Sequence, residues 1–458
     1  MTDGSARSVV APDPADLSAR VTTLMDRARD DLAALVSFAS IHLDASRAAE
    51  CRASADWVAA AFGDLGFDTE VIPTSDGSFA VTGYRPGPEG SPTVALYSHH
   101  DVQPAGDESL WDSPPFELTP RDGRWYGRGS ADCKGNLIAH LTALRAAADD
   151  IACGVRIIIE GSEEAGGEGI EDLVAERPDL FDADLILIGD TGNVAVGVPT
   201  LTTSLRGVVN VKVTVSALEN GVHSGAAGGP APDAMAALIA GLASLRTDAG
   251  DTAIDQLAAD QRWSGVDVTA AQFHEMVGAL PGTEVLGSGT PADMAWARPA
   301  VTVIGMDAPS TAECAAAIMP TAAAMLNLRV PPGTEPREAY ARLEAHLRAH
   351  IPWGCTVELE PDAFGRPFSA ATDGPAYRRL IDAMSSAYDG LPVVFSGQGG
   401  SIPLCTVLAE AVPHAEIALL GVEEPLCAIH APNESVDPEE IRRTALAEAL
   451  LLSRFTDR

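Results

Sequence analysis

Four clusters of acidic and imidazole side chains follow apolar runs or a tight glycine-rich turn. TVALYS (93–98) leads into His99, His100 and Asp101; GVRIIIEG (154–161) leads to Glu163 and Glu164; ADLILIG (183–189) ends at Asp190. Between the first two, WYGRGSADCKGN (125–136) places Asp132 just ahead of a helical pattern that begins near Asn136. Ligands of open α/β sheets gather at the carboxyl ends of the strands, so residues that directly follow such runs share one edge. Carboxylates crowded at the rim of a low-dielectric core repel one another and cost several kcal/mol unless cations neutralise them. A divalent metal site is the simplest relief. Mixed histidine and carboxylate donors suit zinc, manganese or cobalt, and a carboxylate shared by two ions about 3.5–4 Å apart is the usual two-metal hydrolase arrangement.

Spacing assigns work within the clusters. His99 and Asp101 lie two apart on an extended segment and share a face, so one can ligate a metal while the other fixes its tautomer. Glu163 and Glu164 are adjacent and diverge; one can ligate while the other acts as general base toward a metal-bound water. His100 points the other way and is the weaker candidate. Taken singly, a histidine packs a core and a Glu-Glu pair decorates a surface far more often than either does chemistry. Their coincidence at successive strand ends singles these residues out. No GxSxG elbow, HExxH, Walker loop or complete GxGxxG after a strand competes with them, and nothing near Cys133 pairs it with a dedicated histidine as a nucleophile.

The elements that must position these residues are legible as periodicities. Val21, Leu24, Met25, Ala28, Leu32, Leu35 and Val36 recur at helical spacing, as do Trp57, Val58, Ala61, Phe62 and Leu65. Continuous apolar runs at 93–98, 154–161, 183–190 and 415–421 alternate with helical patterns, as a sheet buried on both faces requires. The middle differs: VNVKVTVSA (209–217) and AAMLNLRV (323–330) alternate apolar with polar, VELE (357–360) is a further strand, and helical patterns occupy 233–245 and 336–350. The expectation is an α/β fold with a mostly parallel twisted sheet flanked by helices, its first part at 1–205 and its second at 365–458. A two-layer α+β module at 206–364 is inserted between them.

The chain has 458 residues, 65 acidic against 30 basic, and a formal charge of −35. That excess argues against nucleic acid and anionic membrane as partners, since both need a basic surface. Lysine stands only at Lys134 and Lys212. The seven cysteines are scattered and lack a CxxC pair, which fits reduced thiols of a cytoplasmic protein. The first sixteen residues lack an apolar stretch of signal-peptide length, and no run of about 18 apolar residues occurs.

YSHHDVQP (97–104), WYGRGSADCKGN (125–136), EGSEEAGG (160–167), LIGD (187–190), NGVHSGAAGG (220–229), GQGGSIP (397–403) and AIHAPNE (428–434) together resemble the dinuclear zinc exopeptidases, in that family's order. The family includes carnosinase-like dipeptidases, glutamate carboxypeptidases, aminoacylases and succinyl-diaminopimelate desuccinylase. The resemblance implies two divalent ions per chain, zinc first with manganese or cobalt as alternatives. His99 and Asp190 would hold one, Glu164 and His430 the other, and Asp132 would bridge both. Asp101 would orient His99. Glu163 would take a proton from the metal-bridging water and pass it to the leaving amine. It also implies a cis peptide at Asp132–Cys133, a lysine at Lys134 that belongs to the motif, and His223 reaching across a homodimer to the oxyanion. The inserted module would be a lid and dimerisation domain. Arg329, Gly399, Gly400 and Ser401 would grip the substrate's free carboxylate.

Two positions depart from the dipeptidase branch. Gln398 stands where glutamate is usual before the GGSIP turn, and TGN follows Asp190 in place of an aromatic-bearing stretch. The expected activity is hydrolysis of the amide bond of dipeptides with a free carboxylate. An N-acyl or N-succinyl amino acid deacylase is the alternative, and a non-catalytic metal-binding dimer is the alternative of another class, disfavoured because Glu163 is retained.

Overall fold

The helix Pro14–Val36 starts where Asp13 accepts a hydrogen bond from the Ala15 amide and Pro14 presets the first turn. It buries Val21, Ala28, Leu32, Leu35 and Val36 of the stripe that the periodicity indicates, together with Leu17, while Leu24 and Met25 are half-buried. The computed structural model describes residues 12–400 and 402–457. These residues divide into two compact units. One is formed by the chain up to Thr203, by Ala370–Ser396 and by the chain from Leu404 onward; the other is Ser204–Ser369 with Gly397–Pro403. The short glycine-rich segment after residue 396 thus packs with the second unit, although the sequence reading grouped it with the resumed α/β region.

The first unit is built on a sheet whose four central strands are parallel: Gly154–Glu160, Thr93–His99, Leu185–Gly189 and Glu416–Leu420, in that order. Antiparallel strands continue it, with Phe79–Arg85 and Asp68–Pro73 on one side and Thr200–Leu205 on the other. The central strands are mostly apolar and buried because helices cover both faces, and Val94, Leu96, Ile157, Leu187 and Ala418 are buried in one core with the helices. The helix Lys134–Ala147 is buried almost throughout, packed by Pro14–Val36 and Pro438–Leu452. The parallel register sets His99 beside Glu160 at the carboxyl edge, so the loops after all four strands open on the same side.

The second unit is a four-stranded antiparallel sheet ordered Ala300–Asp307, Thr321–Val330, Gly207–Ser216, Thr356–Gly365. Val209, Val211, Val213 and Val215 point to its core while their neighbours are half-exposed, as the alternation requires. The helices Ala234–Ser244 and Pro336–His350 cover the buried face. The strand Ala300–Asp307 was not foreseen; it lies at the sheet edge, and its alternation breaks at a bulge between Val303 and Gly305.

Candidate metal centre

The carboxyl edge of the parallel sheet gathers the residues that chemistry singles out. His99, the last residue of its strand, is fully buried; its Nε2 lies 3.0 Å from Asp132 Oδ1 and 3.2 Å from Asp190 Oδ1. His430 Nε2 lies 3.0 Å from Asp132 Oδ2 and 3.0 Å from Glu164 Oε2. The two oxygens of Asp132 are therefore divided between two imidazoles, each of which faces a second carboxylate. His430 reaches this place from a loop with left-handed backbone at Ala428, His430 and Asn433, a conformation costly for side chains with a Cβ and retained where surroundings fix it.

Asp101 holds the arrangement from behind. Its Oδ1 lies 3.3 Å from His99 Nδ1 and accepts the Glu163 amide at 3.2 Å, while its Oδ2 accepts the Glu164 amide at 3.1 Å. One carboxylate thus orients the imidazole and pins the turn carrying both glutamates. With Nδ1 turned to Asp101, the Nε2 of His99 aims a lone pair at carboxylate oxygens. Such contacts are repulsive unless a cation lies between them. Two donors at about 2.0–2.2 Å from a tetrahedral metal stand roughly 3.3–3.6 Å apart, within a few tenths of an ångström of the separations seen here. The donor set therefore fits divalent metal ions.

Protonation tells the same story. His430 is pushed up to about 10, first by hydrogen bonds to Asp132 and Glu164. Burial opposes charge on His99, but the surrounding acidic groups outweigh it and lift the imidazole well above its ordinary value. Burial likewise raises Asp132, yet hydrogen bonds to His430 and His99 hold it below the usual carboxylate range. Burial lifts Asp190 to about 6, and burial followed by the charge of Asp190 lifts Glu163 well above its ordinary value. Without metal, the cluster draws protons to the places where cations fit.

The sequence profile of peptidase family M20/M25/M40 matches residues 95–454. The chain belongs to this family. A cysteinylglycine-S-conjugate dipeptidase from Corynebacterium striatum is 42% identical over 440 residues, covering 95% of this chain and 97% of the relative. Among solved structures, the Saccharomyces cerevisiae dipeptidase Dug1p superposes with a TM-score of 0.80 at 19% identity, covering 97% of this chain and 99% of that one. Human carnosine dipeptidase 1 gives 0.78 at 21% identity, with 97% and 99% covered. These two likenesses establish the fold, a mixed α/β architecture with a mostly parallel central sheet. The chain is a hydrolase of the metallopeptidase class.

In this M20 peptidase the remaining candidates are placed as follows. His100 faces away from the cluster, with its Nε2 2.8 Å from the Phe79 carbonyl oxygen. Cys133 is buried after a cis Asp132–Cys133 peptide and donates its thiol to the Gly189 carbonyl. Lys134 is fully buried, its ammonium donating to the carbonyls of Leu35 and Phe38, and burial brings it down to about 7. In the second unit, His223 is exposed on the short strand Val222–His223 and its Nδ1 accepts the Gly225 amide. Arg329 is half-buried and donates Nε to Asn327 Oδ1 at 3.0 Å. A Cβ on Gly399 would stand 2.7 Å from Arg206 Nη2, so a larger residue there would displace the end of that guanidinium; Gly400 is open. Ser401 lies outside the described residues.

Three residues of the site were missed by the sequence reading. Glu434 is buried and accepts Arg128 Nη1 at 2.6 Å together with the amides of Gly129, Ala131 and Asp132, so it clamps the Asp132 turn. Gln103 donates to the Glu164 carboxylate at 3.0 Å. Glu423 sits with Asp132 and Asp190, their nearest carboxylate oxygens all within 4.8 Å of one another. Glu434 was within a quoted motif, and Glu423 follows an apolar run by two residues, so the strand-end rule that found Asp190 could have reached it. A further grouping of Asp255, His346 and His350 occurs in the second unit. There both ring nitrogens of His346 are engaged, by the Asp255 amide and the Ser244 hydroxyl.

Proposed function

We propose that this peptidase hydrolyses the amide bond of dipeptides bearing a free carboxylate, with metal ions held by His99, Asp190, Glu164 and His430 and shared through Asp132. The observation that carries the reading is the division of the Asp132 oxygens between two imidazole–carboxylate pairs. When bound, the dications supply Lewis-acid polarisation of the scissile carbonyl and lower the pKa of the attacking water. Glu163 receives a proton from that water and returns it to the leaving amine. Burial, followed by the charge of Asp190, raises its proton affinity, as suits a group that must accept a proton and then donate it. Asp101 keeps His99 in the tautomer that offers Nε2 outward and fixes the backbone from which Glu163 reaches.

Arg329, Gly399, Gly400 and Ser401 bind the substrate carboxylate, a guanidinium and backbone amides being suited to that anion. His223 stabilises the oxyanion from a partner chain in a homodimer whose lid and contact surface is the inserted module. Zinc is the expected ion. All seven cysteines are free thiols, which supports a reducing, cytoplasmic setting. The Corynebacterium striatum relative directs the substrate choice to cysteinylglycine and its S-substituted forms.

The deciding experiment is a hydrolysis screen with zinc, manganese and cobalt in turn. It sets unmodified dipeptides, including cysteinylglycine and S-alkyl cysteinylglycines, against N-acetyl and N-succinyl amino acids. Cleavage of the dipeptides is expected. Exclusive cleavage of the acylated amino acids would establish the deacylase alternative, and cleavage of neither class overturns both.

A further inference from the structure

The loop after the strand Glu416–Leu420 delivers three acidic side chains to the edge of the sheet, and their surroundings differ. Glu424 pairs with Arg124 at 2.5 Å, and Glu434 pairs with Arg128 at 2.6 Å. Glu423 is 8% exposed, has no arginine or lysine ion pair among the described residues, and makes a long hydrogen bond of 3.4 Å with Asn136 Nδ2. Its carboxylate instead faces those of Asp132 and Asp190. A buried carboxylate directed at two others, with no arginine or lysine to balance it, is a costly arrangement in a folded chain.

The backbone makes this placement firm. The strands Glu416–Leu420 and Leu185–Gly189 run side by side in parallel, and the loops beyond them meet at a bridge between Gly192 and Glu423. The Asn193 amide donates to the Glu423 carbonyl at 2.8 Å. A Cβ on Gly192 would lie 2.0 Å from the Glu423 carbonyl oxygen, and one on Gly421 would lie 1.9 Å from that of Thr191. The two loops are pressed backbone to backbone, so Glu423 is fixed with respect to Asp190.

We propose that Glu423 belongs to the metal centre: a further carboxylate, outside the set of direct ligands, that lies against Asp132 and Asp190 and whose charge is balanced by the bound dications. This rests on the reading of the site as a metal centre. It assigns Glu423 a part in metal affinity that its two arginine-paired neighbours do not share, because their charge is already met within the protein.

The test is a zinc titration of the full-length chain stripped of metal, in competition with a chromogenic chelator, alongside the melting temperature of the metal-free protein. Removing an outer carboxylate of this kind weakens metal binding by about 10–100-fold. Glu423→Gln is therefore expected to lose affinity by that factor for at least one ion while melting, without metal, no lower than the wild type. Glu423→Asp keeps the charge and is expected to retain more of the affinity than Gln does; it also serves as the reporter if the Gln variant does not fold. Zinc binding by Glu423→Gln as tight as wild type overturns the proposal. So does a lowered metal-free melting temperature with unchanged affinity, which would make Glu423 a packing residue. Failure of the wild-type chain to bind zinc would instead overturn the metal-centre reading itself.

Discussion

Asp101 connects three groups that must agree in position: the His99 ring and the amides of Glu163 and Glu164. Glu163→Gln removes the proton acceptor and leaves the donors in place, so turnover should fall by about 10²–10⁴-fold with metal content unchanged in elemental analysis. Loss of metal alongside activity would make Glu163 a ligand instead. Glu160 offers a titration outside the ligand set, although it pairs with His99 across the parallel strands. Its carboxyl accepts the Tyr97 hydroxyl at 2.7 Å, and burial pushes it up from 4.5 to about 8. Below the unfolded value the folded chain has the full benefit of the neutral acid. Between 4.5 and about 8 the unfolded chain releases a proton that the fold retains, so stability falls as pH rises and the contribution is gone above about 8. Melting of metal-free Glu160→Gln across this window should therefore decline less than wild type; an equal decline would assign the slope to other groups. At this scale His99, Glu163, Glu164 and Asp190 were legible as candidates because side-chain type and a position after a strand coincide, and Asp132 because it stands in a glycine-rich turn ahead of a helix. Glu434 was not, since its partner Arg128 lies some 300 positions away in the sequence.

Loops between regular elements carry the chemistry, and each is fixed by a few buried polar contacts. The Asp132 turn depends on Glu434, which meets the Arg128 guanidinium and three amides. Removing one partner of a buried ion pair leaves the other charge without compensation and costs about 3–5 kcal/mol. Glu434→Leu should destabilise the protein by that order in denaturant unfolding; a loss below about 1 kcal/mol would mean that water replaces the clamp. In the second unit, the His223 strand tests the proposed dimer. Equal mixing of His223→Ala and Glu163→Gln chains, with exchange of subunits, should restore roughly one quarter of wild-type activity, because half the dimers are mixed and each has one complete site. No recovery counts against action across the dimer. The valine alternation of Gly207–Ser216 made its half-buried sheet readable in advance. The residues between Ser244 and Ala300 were not, because they hold one short helix and a π-turn at Asp293–Ala297 with no sustained periodicity.

Across the whole molecule the charge of −35 is an average that conceals a sharp local concentration. Bound dications stabilise only the folded chain, by about 2.7 kcal/mol for a site when free metal is a hundredfold above its Kd. Chelation should therefore lower the melting temperature, and more at low ionic strength, where unneutralised carboxylates repel more strongly. An unchanged transition would mean that the cluster does not bind metal in the folded state. No helix among the described residues is long and apolar enough to cross a membrane. The class of fold was legible from apolar runs alternating with helices, but the neighbour relations were not. Glu416–Leu420 pairs with Leu185–Gly189 across more than two hundred intervening residues, and no local pattern announces such a partner. That long return has a consequence for the nascent chain. A polypeptide still on the ribosome, with residues up to Asp190 already exposed, has most of the acidic donors but neither His430 nor the Glu434 clamp. The entire inserted module is translated before they emerge, so the metal-holding set is completed only after that module has been made.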